Sequence, residues 1–323
     1  MIPMGMPSID DIRQAAERIR PYVHRTPVIG SITLNERAGA NVFFKCENFQ
    51  KAGAFKTRGA TNAVWLLSDA EARMGVITHS SGNHGAALAL AARTRGIGAT
   101  VVMPNTAPEV KKRAVDGYGA RIVLCEPTQE ARETTTQSII DETGATLIHP
   151  YNDNRIIAGQ GTAALELLLQ AGELDVVMAP IGGGGMMSGA SIVAKAHTPS
   201  IRTIAAEPLA ADDAHRSLKA GKIVQAGNPQ TIADGLLTSL GPKTFEVIQS
   251  YVDEILTVEE GAIIEAMRYV WERMKIIIEP SSAVPVAVLF KYPEVFKGRR
   301  VGIILTGGNV DLDHLPWKAP VAG

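Results

Sequence analysis

Lys45-Cys46-Glu47-Asn48-Phe49-Gln50-Lys51-Ala52-Gly53-Ala54-Phe55-Lys56-Thr57-Arg58-Gly59-Ala60 is the stretch that decides how this chain is read. The β-branched and aromatic residues that lead into it, Asn41 to Phe44, predict a strand. From Arg58 to Leu67 apolar residues recur at helical spacing. Lys56 thus stands where a glycine-containing turn enters a helix N-terminus, beside unpaired N–H groups and the positive end of the helix dipole. An ammonium there loses its proton more readily than a free lysine, whose pKa is about 10.4. A neutral lysine amine can condense with a carbonyl. Taken alone, Lys45, Lys51, Lys56 and Arg58 read as a solvated basic loop.

Outward from this turn, short apolar runs alternate with amphipathic helices. Strands are expected at 41–45, 75–78, 99–103, 121–124, 146–149, 175–181, 201–206, 254–258 and 300–305. Helices are expected between them, at 85–95, 108–118, 130–143, 157–171, 186–196, 259–273 and 282–290. A first helix is capped by Ser8 and stopped by Pro21. The stretch after Ala206 reads as looser, with a turn at Gly227-Asn228-Pro229. Such alternation predicts an α/β fold of two open parallel-sheet domains. The smaller would span 75–150, and the larger would combine 1–74 with 151–323. A ligand then belongs in the cleft at the carboxyl ends of the strands.

The chain has 323 residues, of which 46% are hydrophobic, enough for a large core and, as a prior, two domains. A net charge of −1, with both signs interspersed, argues against nucleic acid or a membrane surface as partner. The two cysteines, Cys46 and Cys125, have no metal-ligand spacing and fit a reducing, cytoplasmic setting. No signal-like start and no bilayer-length apolar run is present.

Three further turns carry chemistry. Ile181-Gly182-Gly183-Gly184-Gly185-Met186 follows an apolar strand and opens a helix. Its glycines let the backbone approach a phosphate, and the helix N-terminus supplies N–H donors. It lacks the spacing of the dinucleotide fingerprint and the Lys-Ser/Thr close of a Walker loop. Ser80-Ser81-Gly82-Asn83-His84-Gly85 joins a strand to a helix, where a plain cap is the simpler reading. Leu305-Thr306-Gly307-Gly308-Asn309 closes the last strand. Glu207, with Asp212 and Asp213 beyond it, suits a hard cation such as Mg²⁺ or Ca²⁺, or simply forms a solvated acidic turn.

With these motifs in this order, the chain resembles the serine/threonine dehydratase family of pyridoxal-phosphate enzymes, nearest its serine racemase and hydroxyaspartate dehydratase members. The resemblance runs from about Ile9 to Leu312. It implies the fold type II architecture, like the tryptophan synthase β subunit, and a homodimer acting on a small amino acid. It implies that Lys56 holds pyridoxal 5′-phosphate covalently beside Phe55. Gly182, Gly183, Gly184, Gly185 and Met186 would take the phosphate, Asn83 the 3′-oxygen, and Thr306 the ring nitrogen. Ser80, Ser81, Gly82 and His84 would line the substrate side, with Ser81 acting on the face opposite Lys56. Arg132, otherwise a surface residue in an Arg–Glu pair, would meet an acidic ligand. Glu207, Asp213 and the Ala211 carbonyl would hold Mg²⁺, Ca²⁺ or Mn²⁺. The expected reaction is dehydration of 3-hydroxyaspartate, L-serine or L-threonine to a 2-oxo acid and ammonia, with possible serine racemisation. A β-replacement synthase and a non-catalytic phosphate-binding module are the alternatives.

Overall fold

A computed structural model describes residues 5–80, 82–107 and 109–317. Ten strands lie within them: β1 (Val28–Ile29), β2 (Asn41–Cys46), β3 (Val76–His79), β4 (Ala99–Pro104), β5 (Arg121–Cys125), β6 (Thr146–Leu147), β7 (Val176–Pro180), β8 (Arg202–Pro208), β9 (Glu254–Val258) and β10 (Arg300–Leu305). They form two sheets, one six-stranded in the order β1-β2-β10-β7-β8-β9 and one four-stranded in the order β5-β4-β3-β6. All pairings are parallel except β1 with β2. The α/β reading with two parallel sheets therefore holds.

At the middle of the larger sheet, β7 and the Val301–Leu305 part of β10 are apolar without interruption because helices cover both faces. Ile303 packs with Phe44 and Met178 on one face. Its neighbour Ile304 packs with Val177 and Leu167 on the other. A third cluster joins Ala60, Ala63 and Val64 of helix Lys56–Trp65 to Leu88 and Ala91 of helix Asn83–Arg95. The helix that starts at Lys56 is thus packed against the elements of the smaller sheet. It also lies very close to helix Asn154–Ala171, where a Cβ on Gly159 would come 2.6 Å from the Gly59 Cα.

Local signals mark most boundaries. Ser8 and Asp11 form a reciprocal capping box on helix Ile9–Ile19, whose Ile12, Ala15 and Ile19 are buried. The region after Ala206 is more ordered than expected. It holds helices Asp213–Ala220 and Pro242–Tyr251, and Ile32–Ala38 and Asp69–Met74 are further short helices. Pro108, the expected start of one helix, lies outside the described residues, and that helix runs Glu109–Gly117.

The solvated basic loop is not what forms. Lys45 and Arg58 are both 0% exposed. Arg58 donates from Nε and Nη2 to Glu47, both at 2.8 Å, and from Nη1 and Nη2 to Glu166, both at 2.9 Å. Lys45 Nζ donates to Glu166 at 2.5 Å, to the Thr26 carbonyl at 2.7 Å and to Gln170 at 2.8 Å. Burial alone would raise the Glu166 carboxyl, but Arg58 and Lys45 hold it below its ordinary range. Removing one partner from such a buried set strands charge in a dry interior, at a cost of about 3–5 kcal/mol. Arg58→Ala should therefore destabilise the fold by that amount in denaturant unfolding. A loss below about 1 kcal/mol would mean that the network does not support the fold.

Candidate active site

Five strand ends, those of β2, β3, β6, β7 and β10, meet around one cavity of 550 Å³. From β2 the chain passes through two short 3₁₀ turns, Glu47–Phe49 and Lys51–Gly53, into helix Lys56–Trp65. This turn is stitched to the end of β10: Phe55 N donates to the Thr306 carbonyl, and Gly308 N to the Gly53 carbonyl, both at 2.9 Å. Lys56 Nζ donates to the Pro150 carbonyl at 2.9 Å. Burial drives its pKa down to about 8, with Glu279 opposing. The amine lies 5.1 Å from the centre of the Phe55 ring.

Beyond β7, Gly184 caps helix Gly185–His197 with φ +87°. A Cβ on Gly183 would sit 2.3 Å from Tyr151 Cδ1. Part of the glycine requirement is therefore close packing against Tyr151. The first turn of this helix carries no acidic side chain, so its free N–H groups face the cavity uncompensated. A phosphate dianion suits that end of the helix.

The opposite wall is the turn after β3. Asn83 Nδ2 lies 3.0 Å from each Glu279 oxygen, and Asn83 Oδ1 accepts from Asn309 Nδ2 at 2.9 Å. Burial raises the Glu279 carboxyl, against the pull of Asn83, Lys111 and Lys56. His84 Nε2 lies 3.1 Å from the Ile148 carbonyl, and its Nδ1 is buried without a partner. Burial first, then Lys56, pushes His84 well below its ordinary value. Thr306 Oγ1 is 3.0 Å from Ser282 Oγ. Arg132, on helix Gln129–Thr143, forms no ion pair among the described residues, and its Nε is buried without a partner. The expected surface Arg–Glu pair is therefore not made.

Phe55, Lys56, Ser80, Gly82, Asn83, His84, Arg132, Gly182, Gly183, Gly184, Gly185, Met186 and Thr306 all line the same cavity. Ser81 lies outside the described residues. Lys111, His79 and His149 line the cavity too, though sequence reasoning gave them no role. Their signal was position alone, at or just beyond the carboxyl ends of parallel strands for the two histidines.

Glu207, Ala211 and Asp213 do not line this cavity, though Ser239 and Tyr151, which do, sense the Asp213 carboxyl. Glu207 accepts from the N–H groups of Ala214 and His215, both at 2.8 Å. Both Asp213 side-chain oxygens are buried without a hydrogen bond of normal geometry, with only weaker pulls from the Asp213 backbone, Arg216 and Ser239 opposing burial. Burial pushes Glu207 up to about 9 and Asp213 up to about 6. Ala211 ends a short 3₁₀ turn next to them. The solvated-turn reading does not fit two buried carboxylates. No group of three or more His, Cys, Asp or Glu side chains suited to a metal occurs among the described residues. A cation here would need backbone or water oxygens as well.

Comparison with known proteins agrees with this geometry. Residues 19–307 match the family model described as pyridoxal-phosphate dependent enzyme. The β-hydroxyaspartate dehydratase of Paracoccus denitrificans (strain Pd 1222) is 54% identical over 98% of this chain and 100% of that protein. The serine racemase of Dictyostelium discoideum is 50% identical over 98% of each. The structure of maize serine racemase superposes with a TM-score of 0.93 at 47% identity, covering 94% of each chain.

Burial beside a helix N-terminus makes one testable difference to Lys56. In the cofactor-free protein its acylation, followed by peptide mass mapping, should show a midpoint near pH 8 rather than near the ordinary 10.5. Below that midpoint the amine is protonated and unreactive. A midpoint matching the exposed lysines would contradict this placement.

Proposed function

The chain belongs to the pyridoxal-phosphate-dependent enzymes, and on that footing we propose that it dehydrates 3-hydroxy amino acids to 2-oxo acids and ammonia. The observation that carries the proposal is the sharing of one cavity by Lys56, the glycine turn and Arg132, whose Nε has no hydrogen-bond partner. The residues fit the cofactor. Gly182 to Gly185 with Met186 would hold its phosphate, Thr306 its ring nitrogen and Asn83 its 3′-oxygen. When bound, the cofactor takes up the electron pair left at Cα as the α-proton departs.

The chain's own groups do the rest. Lys56 takes the α-proton, and its lowered pKa leaves a useful neutral fraction near neutral pH. The β-hydroxyl leaves as water, and the enamine tautomerises and is hydrolysed. One water is lost and one consumed, so the net products are a 2-oxo acid and ammonia. Ser80, Ser81, Gly82 and His84 bind the α-carboxylate. A thiol or amine acceptor site, as a β-replacement synthase needs, is not part of this reading.

Arg132 selects for a second carboxylate, which favours 3-hydroxyaspartate over L-serine and L-threonine. Its planar guanidinium can pair two-pronged with that group, and lysine cannot copy the geometry. What supports this is its unpaired Nε and the 54% identity to a β-hydroxyaspartate dehydratase. A second reading, serine racemase activity, rests on Ser81 as the proton donor on the opposite face and on the 50% identity to a serine racemase. In our reading 75–150 moves as the smaller domain against 1–74 with 151–323, in a cytoplasmic homodimer. Glu207, Asp213 and the Ala211 carbonyl hold Mg²⁺, Ca²⁺ or Mn²⁺, which relieves the buried Asp213 oxygens.

Ammonia release over a panel of 3-hydroxy amino acids tests the main proposal. Wild type should favour 3-hydroxyaspartate, and Lys56→Ala should release nothing and retain no cofactor after borohydride. Arg132→Lys should depress hydroxyaspartate turnover far more than serine turnover. Parallel losses would leave Arg132 only a role in closure, and D-serine formed from L-serine in the same assay would establish racemisation. For the cation, chelator should lower the melting temperature of wild type but not of Glu207→Ala. Equal responses would remove the metal from this proposal.

A further inference from the structure

His149 lies just beyond β6 and begins a segment, 149–152, that lines the cavity beside Lys56. Its Nδ1 accepts the backbone N–H groups of both Tyr151, at 3.2 Å, and Asn152, at 2.9 Å. Two donors into one ring nitrogen require that nitrogen to be unprotonated, which puts the ring proton on Nε2. The ring is held edge-on to His79 at 5.7 Å and to Tyr151 at 4.6 Å between centres. Burial, His79, Lys56 and Lys243 press its pKa down to about 4 against the pull of Asp153, so it stays neutral.

Held in this way, three consecutive residues reach three parts of the site. The Pro150 carbonyl receives Lys56 Nζ at 2.9 Å. The Tyr151 ring lies against Gly183 and occupies the space its Cβ would take. Asn152 Oδ1 accepts the N–H of Lys243 at 2.9 Å, in the first turn of helix Pro242–Tyr251. We propose that His149 is a positioning residue: its Nδ1 clamps the backbone of 150–152, and that clamp fixes the carbonyl on which the Lys56 amine rests and the ring that backs the glycine turn. The proposal deepens the dehydratase reading and rests on it. An amine that must return to one α-proton depends on its resting acceptor, because a misplacement of about 1 Å can cost ~10²-fold in rate.

Asparagine separates the clamp from the ring. Its side-chain oxygen accepts backbone N–H groups two residues on in an Asx turn, the same task as Nδ1 here. In the holoenzyme, His149→Ala should lower kcat by roughly 10–100-fold with KM changed much less. His149→Asn should recover most of that loss at the same melting temperature. In the cofactor-free full chain, the Lys56 acylation midpoint should leave its wild-type value in His149→Ala and return in His149→Asn. If His149→Ala does not fold, His149→Phe, which keeps the ring packing but has no acceptor, takes its place. Wild-type kcat and midpoint in the acceptor-less variant would overturn the proposal. So would an Asn variant as impaired as Ala at equal melting temperature, since the ring and not the clamp would then matter. Should wild type turn over no 3-hydroxy amino acid, the dehydratase reading fails, while the Lys56 midpoints still decide for or against His149.

Discussion

The Arg58 guanidinium, enclosed by Glu47 and Glu166, is the contact on which the placement of the site depends. Glu47 follows β2, Glu166 lies on helix Asn154–Ala171, and Arg58 comes two residues after Lys56. One planar cation thereby fixes the first turn of the lysine helix against both the large sheet and the helix beside it. A single lysine could not do this, because it lacks the fork that meets two carboxylates at once. Lys45 neutralises the remaining charge, so two carboxylates face two cations. Thr26 Oγ1, at 2.6 Å from Glu47, takes up a further lone pair.

That charge balance lets the neighbouring lysine do something different. The Lys56 amine rests on a carbonyl rather than on a carboxylate. Burial therefore outweighs the attraction of Glu279, and the amine's pKa falls. Had Glu279 approached Lys56 directly, an ion pair would have held the proton in place. Instead, Asn83 engages both Glu279 oxygens and Asn309 holds Asn83. The two amides keep the acid occupied beside the base without pairing the two.

Much of this was legible from sequence because it is local. The glycine turn after an apolar strand, the Ser8 cap and the helix entry at Lys56 each need only neighbouring residues to be recognised. The alternation of apolar runs with helices was enough to give two parallel sheets. What could not be read depends on distant partners. Lys45 and Arg58 look like surface charges until Glu166, 108 residues beyond Arg58, is folded against them. Helix Asp213–Ala220 buries only Asp213, Ala214 and Ser217, so no apolar stripe announced it. His149 carried no motif either, since its role comes from accepting two backbone N–H groups just beyond a two-residue strand.

The two acidic pairs show how the same chemistry is satisfied in different ways. Glu47 is buried and Glu166 partly buried, with cations supplied by the chain, and each makes direct ion pairs. Glu207 has two backbone N–H donors, and neither Asp213 side-chain oxygen has a hydrogen bond of normal geometry. The neighbouring Arg216 is bonded through Nε to Asp212 at 2.7 Å, and its attraction on Asp213 does not outweigh burial. A buried carboxylate so weakly supported must either gain a proton or be matched by a positive charge. In our reading a bound cation supplies that charge, since the attraction of Arg216 leaves the Asp213 carboxyl raised.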